Sequence, residues 1–414
     1  MALRLVSDNS RKKGRRVSGD YFDYTLLFVV IFLIIFGLVM IYSTSAYQSA
    51  AANEGDSTGF LKKQLLATII GIPVMMITIF VDYHWWEKFS FIGIGISFVL
   101  VFLVLTPMGL EINNARRWIK VGPLSLQPAE VVKIAIILWC SVLITHFMEL
   151  HKKENIGRWK SMAYILSVPF VFAVLLWQVT SNLSSAIIVG GIAALMLYVA
   201  DPDYKKYFFI TIIVAVIAAI IIAYAVKVTG DDGGASFRLK RISVWLDPES
   251  DASDKGFQTL QALYAIGSGG IFGKGLGGSL QKLGTLPEAQ NDMIFSIICE
   301  ELGLFGALAI ILLFILLIWR CFIIANNARD LFGAMLVVGV MAHFAIQVVL
   351  NIAVVTNSVP NTGISLPFIS YGGSSELFLM AEIGLVLNVS RQIGLQNNED
   401  NTERVERVER RRRT

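Results

Sequence analysis

The chain has 414 residues, of which 55% are hydrophobic and only 16% are charged, with a formal net charge of +4. A soluble globular domain has about 45–50% apolar and about 25% charged residues. The composition therefore excludes a disordered chain, a nucleic-acid-binding arm and an ordinary cytosolic enzyme. It indicates a helical protein that crosses a membrane several times. Three cysteines in or beside apolar runs, without paired spacing, predict buried free thiols rather than disulfides or a metal site.

Apolar runs of about 18–25 residues, each long enough to cross a bilayer, recur along the chain. The first run is too long for a cleavable signal peptide. We predict an all-α polytopic membrane protein of about ten transmembrane helices. Its membrane domain covers residues 23–391, between polar tails at 1–22 and 392–414. The predicted spans are 24–46, 61–81, 90–110, 129–148, 162–179, 183–200, 207–228, 293–319, 331–354 and 367–389.

The charges of the short loops predict the orientation. Lysine and arginine collect in alternate loops, whereas the loops around 47–60, 178–182 and 355–366 contain neither. Positively charged short loops stay in the cytoplasm, so both termini are predicted to be cytoplasmic. The charged C-terminal tail is predicted to be disordered and to help fix this topology.

Two loops on the predicted outer side depart from this pattern. Residues 107–127 carry Arg116, Arg117 and Lys120 on the side where positive charge should be scarce. An anionic ligand explains them best, with phosphate binding favoured for Arg117. The outer loop 229–292 is far longer than the others, and long loops of this kind are usually functional. Its aromatic residues predict that it packs on itself or dips back into the membrane surface.

Polar residues at the start of the fourth span form a second group of candidates. Gln127, Glu130 and Lys133 follow the basic loop directly. Glu130 and Lys133 are three residues apart on one helical face, so they can form an ion pair. An ion pair at a membrane entrance is costly and usually faces a cavity. A substrate site and a structural clamp both remain open for this pair.

Acidic residues mark the end of the long outer loop, in QKLGTLPEAQNDMIFSIICEELG at 281–303. Glu288 and Asp292 are four residues apart at the boundary between water and membrane. Partial desolvation beside the apolar MIFSII could raise the pKa of Asp292 toward that of a useful general base. A carboxylate that only interacts with a helix dipole is the alternative. Glu300 and Glu301 lie deeper, within the span.

Prolines and glycines break the helix before the last span, in NSVPNTGISLPFISYGGSSE at 357–376. Broken backbone at membrane depth is tolerated only where it is buried in protein or lines a cavity. Ser370, Tyr371 and Ser374 are therefore predicted to offer hydroxyls to a cavity. A glycine-rich stretch at 267–279 departs from a phosphate-binding loop and predicts tight turns rather than nucleotide binding.

These clusters, in this order, resemble the SEDS family (shape, elongation, division and sporulation). The matching stretches are ARRWI, QPAEVVK, NLSSA, the run from RISVWLDPESD to ICEELG, and VPNTGISLPFISYGGSS. The resemblance covers about residues 20–391, and QKLGTLPEAQND is closer to division and sporulation members than to elongation members. Thr362 stands where some division relatives have lysine, and Glu376 stands where an apolar residue is usual.

The resemblance implies a peptidoglycan glycosyltransferase that polymerises lipid II at the outer face of the bacterial plasma membrane. It also implies a class B penicillin-binding protein and other division proteins as partners, and a place at the division septum. The family's essential outer-loop aspartate falls on Asp292. Its membrane-entrance pair falls on Glu130 and Lys133, and its loop arginine on Arg117.

The expected mechanism is inverting glycosyl transfer, with Asp292 as general base on the acceptor sugar hydroxyl. The lipid pyrophosphate leaving group needs cations to neutralise its charge. A divalent cation, magnesium or manganese, held with Asp292 is a further candidate, and no organic cofactor is expected. The substrate-binding candidates are Arg116, Arg117, Lys120, Gln127, Glu130, Lys133, Lys282, Glu288, Ser370, Tyr371 and Ser374.

Three rival functions stay open from the sequence. A flippase for lipid-linked sugars would place charged residues along a central path, and the intramembrane Glu300, Glu301, Glu376 and Glu382 keep it in play. An elongation polymerase would share the same chemistry. A non-catalytic scaffold for division proteins would need neither Asp292 nor the basic loop.

Overall fold

The structure is a computed structural model that describes residues 22–52, 56–112, 115–121, 124–153, 158–201, 245–251 and 255–413. Over these ranges it is a helix bundle with one small sheet. The helices are α1 (Tyr24–Ala52), α2 (Gly59–Phe80), α3 (Tyr83–Leu103), α4 (Pro128–Lys153), α5 (Arg158–Gln178), α6 (Leu183–Ala200), α7 (Lys255–Gly269), α8 (Ile294–Asn327), α9 (Leu331–Val355) and α10 (Gly373–Arg413).

Eight helices in the described ranges, α1 to α6, α8 and α9, are long and apolar enough to cross a membrane. The predicted all-α membrane fold is therefore confirmed. The predicted span 207–228 and the first part of the long loop lie outside the described residues. Helix α9 is central, with 72% of its most apolar window buried against 17% for α3.

The predicted basic loop at 107–127 contains an antiparallel sheet that the sequence analysis missed. Its strands are β1 (Gly109–Ile112), β2 (Ala115–Val121) and β3 (Leu124–Leu126), in the order β1-β2-β3. Alternate residues of a strand point to opposite faces. Arg116 and Lys120 therefore share one face of β2, and Arg117 lies on the other with the buried Ile119.

Helix α8 is kinked at Gly303, which has φ 67° and ψ −165°. Left-handed backbone of this kind is accessible mainly to glycine. The kink releases the backbone N–H groups of the next two residues, which donate to the carbonyls of Gly270 at 3.0 Å and Ile271 at 3.3 Å. The chain after α7 is thereby hydrogen-bonded to the middle of α8.

The C-terminal tail predicted to be disordered is helical, because α10 continues to Arg413. The sequence does contain a reason that the analysis overlooked. Glutamate precedes arginine by four residues three times, and this order supports a helix through side-chain pairs on one face. The three pairs of positions are Glu403 and Arg407, Glu406 and Arg410, and Glu409 and Arg413.

Helices α2 and α10 pack closely because Gly384 has no side chain. A β-carbon at Gly384 would lie 2.7 Å from the backbone oxygen of Met75 and against the hydroxyl of Thr78. Asn388, one turn further along α10, donates to the Thr78 carbonyl at 2.9 Å. Small residues let membrane helices approach in this way.

We predict that Gly384→Ala destabilises the protein by about 1–3 kcal/mol, the usual cost of overpacking. Gly190→Ala on α6 is the matched control, because nothing lies within 4 Å of a β-carbon there. Alanine is the better helix former, so the control should hold or raise the thermal unfolding midpoint in detergent. Equal midpoints for the two variants would show that the α2–α10 approach is not tight.

Candidate functional site

Asp292 ends the segment between α7 and α8, residues 270–293, and is only 9% exposed. Its backbone carbonyl accepts a hydrogen bond of 2.8 Å from Asn351 Nδ2 on α9. Its carboxylate lies beside Gly363, where a β-carbon would be 3.8 Å from Asp292 Oδ2. The predicted base is therefore a buried carboxylate held by the central helix and by the chain between α9 and α10, residues 356–372.

The 356–372 segment connects several of the predicted clusters. The Tyr371 N–H donates to the Gln290 carbonyl at 2.9 Å, two residues before Asp292. The first turn of α10 is joined to the start of α4, because the Gln127 N–H donates to Ser374 Oγ at 3.4 Å. Three clusters that are far apart in sequence are thus joined, the acidic loop end through Tyr371 and the start of α4 through Ser374.

The two remaining hydroxyl candidates of the 356–372 region have structural contacts. Ser370 Oγ accepts a hydrogen bond of 2.7 Å from the Leu366 N–H, so it stabilises its own turn. The half-buried Tyr371 ring packs edge-on against Phe60, with centroids 5.0 Å apart. These contacts fix the shape of the segment.

Arg117 reaches the same region from the sheet. Its Nη2 donates to the Ser181 carbonyl at 2.9 Å, in the turn between α5 and α6. Three residues later, Ser184 Oγ donates to the Thr362 carbonyl, next to Gly363. One chain of contacts therefore runs from Arg117 toward Asp292.

Arg116 and Lys120 lie on the other face of β2. Arg116 Nε is 3.2 Å from Glu111 Oε2 on β1, and these side chains are 47% and 55% exposed. Lys120 is also exposed. The three basic residues predicted as one group are thus divided, with Arg117 packed inward and the other two facing outward.

Glu130 and Lys133 form the ion pair predicted from their spacing. Lys133 Nζ lies 2.8 Å from Glu130 Oε2, and the side chains are 2% and 7% exposed. The pair lies at the start of α4, close to the Gln127 contact with α10. Removing one member of a buried pair is costly, so both members hold this end of the bundle in place whatever else they do.

Lys282 requires a correction. Its ammonium lies 2.7 Å from Glu301 Oε1 and donates to Ser43 Oγ at 2.9 Å. All of these partners belong to the bundle, and the carboxylate is fully buried. The charge of Lys282 is therefore already neutralised, and the residue anchors the 270–293 segment to α1 and α8 rather than awaiting a pyrophosphate.

Glu300 plays the same part for the preceding turns. It accepts hydrogen bonds from Lys274 Nζ at 2.7 Å, from the Leu280 N–H at 3.2 Å and from the Ser279 hydroxyl.

The other intramembrane acids also have partners. Glu376 accepts from Gln64 and from Thr68 Oγ1, the latter at 2.7 Å, and Glu382 lies 2.7 Å from His343 Nδ1. Each of these carboxylates therefore has a polar partner inside the bundle.

Glu288, the other acid of the predicted pair, lies in a strained turn with φ 55°. Its exposed carboxylate accepts a hydrogen bond from Asn291 Nδ2, so it shapes the turn before Asp292.

No group of three histidine, cysteine, aspartate or glutamate side chains placed to hold a metal occurs among the residues that the structure describes.

The sequence analysis missed a row of buried polar residues on α9. His343, Gln347 and Asn351 are spaced four apart and all face the bundle interior. Asn351 and Gln347 donate to the backbone carbonyls of Ile364 at 2.7 Å and Ser365 at 3.0 Å. The four-residue spacing within an apolar span was a readable signal. This row of polar residues marks the face of α9 that holds the 356–372 segment.

We predict that Lys282→Met lowers stability by about 3–5 kcal/mol, because it leaves Glu301 buried without its cation. Adding Glu301→Gln should recover part of that loss. Arg116→Ala, which breaks an exposed pair, should cost no more than about 1 kcal/mol. Thermal unfolding of the purified variants measures all three. A Lys282→Met protein with unchanged stability but no turnover would restore its assignment to the substrate.

A family model for cell cycle proteins, the FtsW/RodA/SpoVE family, matches residues 24–394. Stage V sporulation protein E of Bacillus subtilis (strain 168) is 38% identical over 372 residues, covering 89% of this chain and 97% of the relative. The probable peptidoglycan glycosyltransferase FtsW of Trichlorobacter lovleyi is 37% identical over 378 residues, covering 90% of this chain and 94% of the relative.

Solved structures show the same architecture. One chain, from work on how a peptidoglycan synthase complex coordinates polymerization and crosslinking, has a TM-score of 0.70 and 25% identity, covering 90% of this chain and 98% of its own length. A mutant of the rod shape determining protein RodA of Thermus thermophilus has a TM-score of 0.62 and 25% identity, with coverages of 89% and 97%. The family match includes every cluster described above, and the chain belongs to the FtsW/RodA/SpoVE family of cell cycle proteins.

Proposed function

We propose that this membrane protein, a peptidoglycan glycosyltransferase by its family, polymerises lipid II into glycan strands at the outer face of the bacterial plasma membrane. The observation that carries the proposal is the placement of Asp292. A buried carboxylate beside Gly363, on backbone that Asn351 holds, suits a general base. Relatives named as probable peptidoglycan glycosyltransferases support the reaction class.

In the proposed reaction, Asp292 takes the proton of the acceptor's sugar hydroxyl. The hydroxyl oxygen attacks the anomeric carbon of the donor and forms the new glycosidic bond with inversion. The bond from that carbon to the lipid pyrophosphate breaks, and the pyrophosphate leaves with the bonding electrons. General-base assistance of this kind contributes typically 10²–10⁴-fold to the rate.

Positive charge must stabilise the departing pyrophosphate. Arg117 is the leading candidate, because its contacts connect it to the 356–372 segment beside Asp292. The outward-facing Arg116 and Lys120 suit attraction of the anionic headgroup from outside.

A magnesium ion is a further candidate for neutralising the charge of the leaving group. Proteins commonly hold magnesium by one or two carboxylates together with substrate phosphates and water, so Asp292 would be its protein ligand.

The charge of the short loops supports a topology with both termini in the cytoplasm and the Asp292 end of the bundle outside. A class B penicillin-binding protein and other division proteins are the proposed partners, and the division septum is the proposed location. The likeness to a chain from a peptidoglycan synthase complex supports a partner that cross-links what this protein polymerises.

We predict that Asp292→Asn lowers glycan polymerisation from lipid II by 10²–10⁴-fold, because the amide keeps the size but cannot accept the proton. The assay uses purified protein with and without a candidate penicillin-binding protein. Asp56→Asn is the control, since Asp56 is a 40%-exposed carboxylate paired with Lys62, and it should keep its activity. A rate for Asp292→Asn above a tenth of wild type would remove Asp292 from the mechanism, whereas wild-type protein that forms no polymer with or without the partner would favour a scaffold.

Arg117 provides a separate prediction. Arg117→Lys should be damaging although the charge is kept, because lysine lacks the planar fork of donors. Arg117→Ala should cost about ten- to a hundredfold in rate if each lost charge-assisted bond is worth roughly 1.5–3 kcal/mol. Lys120→Ala should be tolerated better. Equal proportional losses of membrane protein level and activity in Arg117→Ala would make the arginine a fold clamp through Ser181.

A further inference from the structure

Asn351 joins two segments of the site with one side chain. Its Nδ2 donates to the backbone carbonyl of Asp292 at 2.8 Å and to that of Ile364 at 2.7 Å. Both partners are acceptors only, so the orientation of the amide is fixed, with nitrogen toward the two carbonyls. The side chain is fully buried. Water therefore has no access to replace these hydrogen bonds.

The two carbonyls belong to the two backbone segments nearest the proposed base. Asp292 carries the carboxylate itself, and Ile364 follows Gly363, whose missing β-carbon would be 3.8 Å from Asp292 Oδ2. Asn351 thus sets the separation between the backbone that carries the carboxylate and the backbone that lies against it. It does so through main-chain atoms and without using the carboxylate oxygens.

We propose that Asn351 is a positioning residue that holds Asp292 in its reactive place. The proposal rests on the general-base role given to Asp292 above. A displacement of about 1 Å at a reacting group can cost about 10²-fold in rate. Loss of the Asn351 hydrogen bonds should therefore lower kcat, while binding of lipid II through the basic residues stays close to normal.

Gln347 provides a matched control. It lies one turn before Asn351 on the same face of α9, it is equally buried, and it donates to the Ser365 carbonyl at 3.0 Å. Its contacts within the described residues hold the 356–372 segment without touching Asp292. A general loosening of that segment would therefore affect both variants, whereas positioning of Asp292 would affect only Asn351.

The experiment compares Asn351→Asp with Gln347→Leu in lipid II polymerisation by the full-length protein, with kcat and KM measured separately. Asn351→Asp keeps the shape but points an oxygen at two carbonyls. We expect its kcat to fall at least about tenfold with KM within about twofold, and Gln347→Leu to stay within about threefold of wild-type kcat. Thermal unfolding midpoints of the same samples separate activity from folding.

Asn351→Ser serves if the aspartate variant does not fold. The hydroxyl is small and supplies one donor, so an intermediate kcat is expected. Equal losses in the Asn351 and Gln347 variants, or a wild-type kcat in a folded Asn351 variant, would overturn the proposal. Asp292→Asn keeps the two hypotheses separate. An inactive Asp292→Asn with a fully active Asn351→Asp overturns positioning alone. An active Asp292→Asn overturns the general-base role on which the positioning proposal rests, and wild-type protein without polymerisation overturns the proposed function.

Discussion

Backbone that leaves the helical path inside an apolar bundle has to find partners for every N–H and C=O group, because lipid and apolar side chains offer none. Two long segments of this protein are in that position, residues 270–293 and 356–372. Side chains of the spanning helices supply the partners. Carboxylates of α8 hold the first segment, and amides of α9 hold the second. The candidate site exists because these polar groups are buried.

The residues that hold the candidate site in place differ from the residue proposed to react. Asn351 and Tyr371 bind main-chain atoms at and beside Asp292, and Glu301 receives the nearby cation Lys282. The backbone around Asp292 is thereby fixed by groups that play no part in the proposed proton transfer. Electrostatic preorganisation of this kind lowers the reorganisation needed when charge develops.

Features with a strong local period were predictable from the sequence, and features that depend on distant partners were not. The apolar runs and the three-residue spacing of Glu130 and Lys133 predicted the spans and the ion pair. The partner of Lys282 could not be inferred, because Glu301 lies 19 residues away across a turn-rich segment. Sequence showed Asp292 only as a carboxylate at a membrane boundary, whereas its neighbour Gly363 comes from the distant segment between α9 and α10.

Other errors had readable causes. The period-two alternation of β2 was hidden in a short basic stretch, so a sheet was taken for a loop. The glutamate and arginine spacing after residue 400 favoured a helix, yet composition alone was used there. The polar row on α9 was not recognised, because mean hydropathy over a whole span hides the single polar positions that contact the 356–372 segment.

The two neighbouring glutamates of α8 also bear on how this helix is accommodated in the membrane. A charged residue at the centre of a membrane helix costs about 2.5–3.5 kcal/mol on insertion, and α8 carries two acids side by side near its N-terminal end. Their lysine partners precede them by 26 and 19 residues. With the proposed topology, both lysines lie in the outer segment that precedes α8. Because each glutamate has a lysine partner there, α8 can lie in the membrane without unpaired acids in lipid.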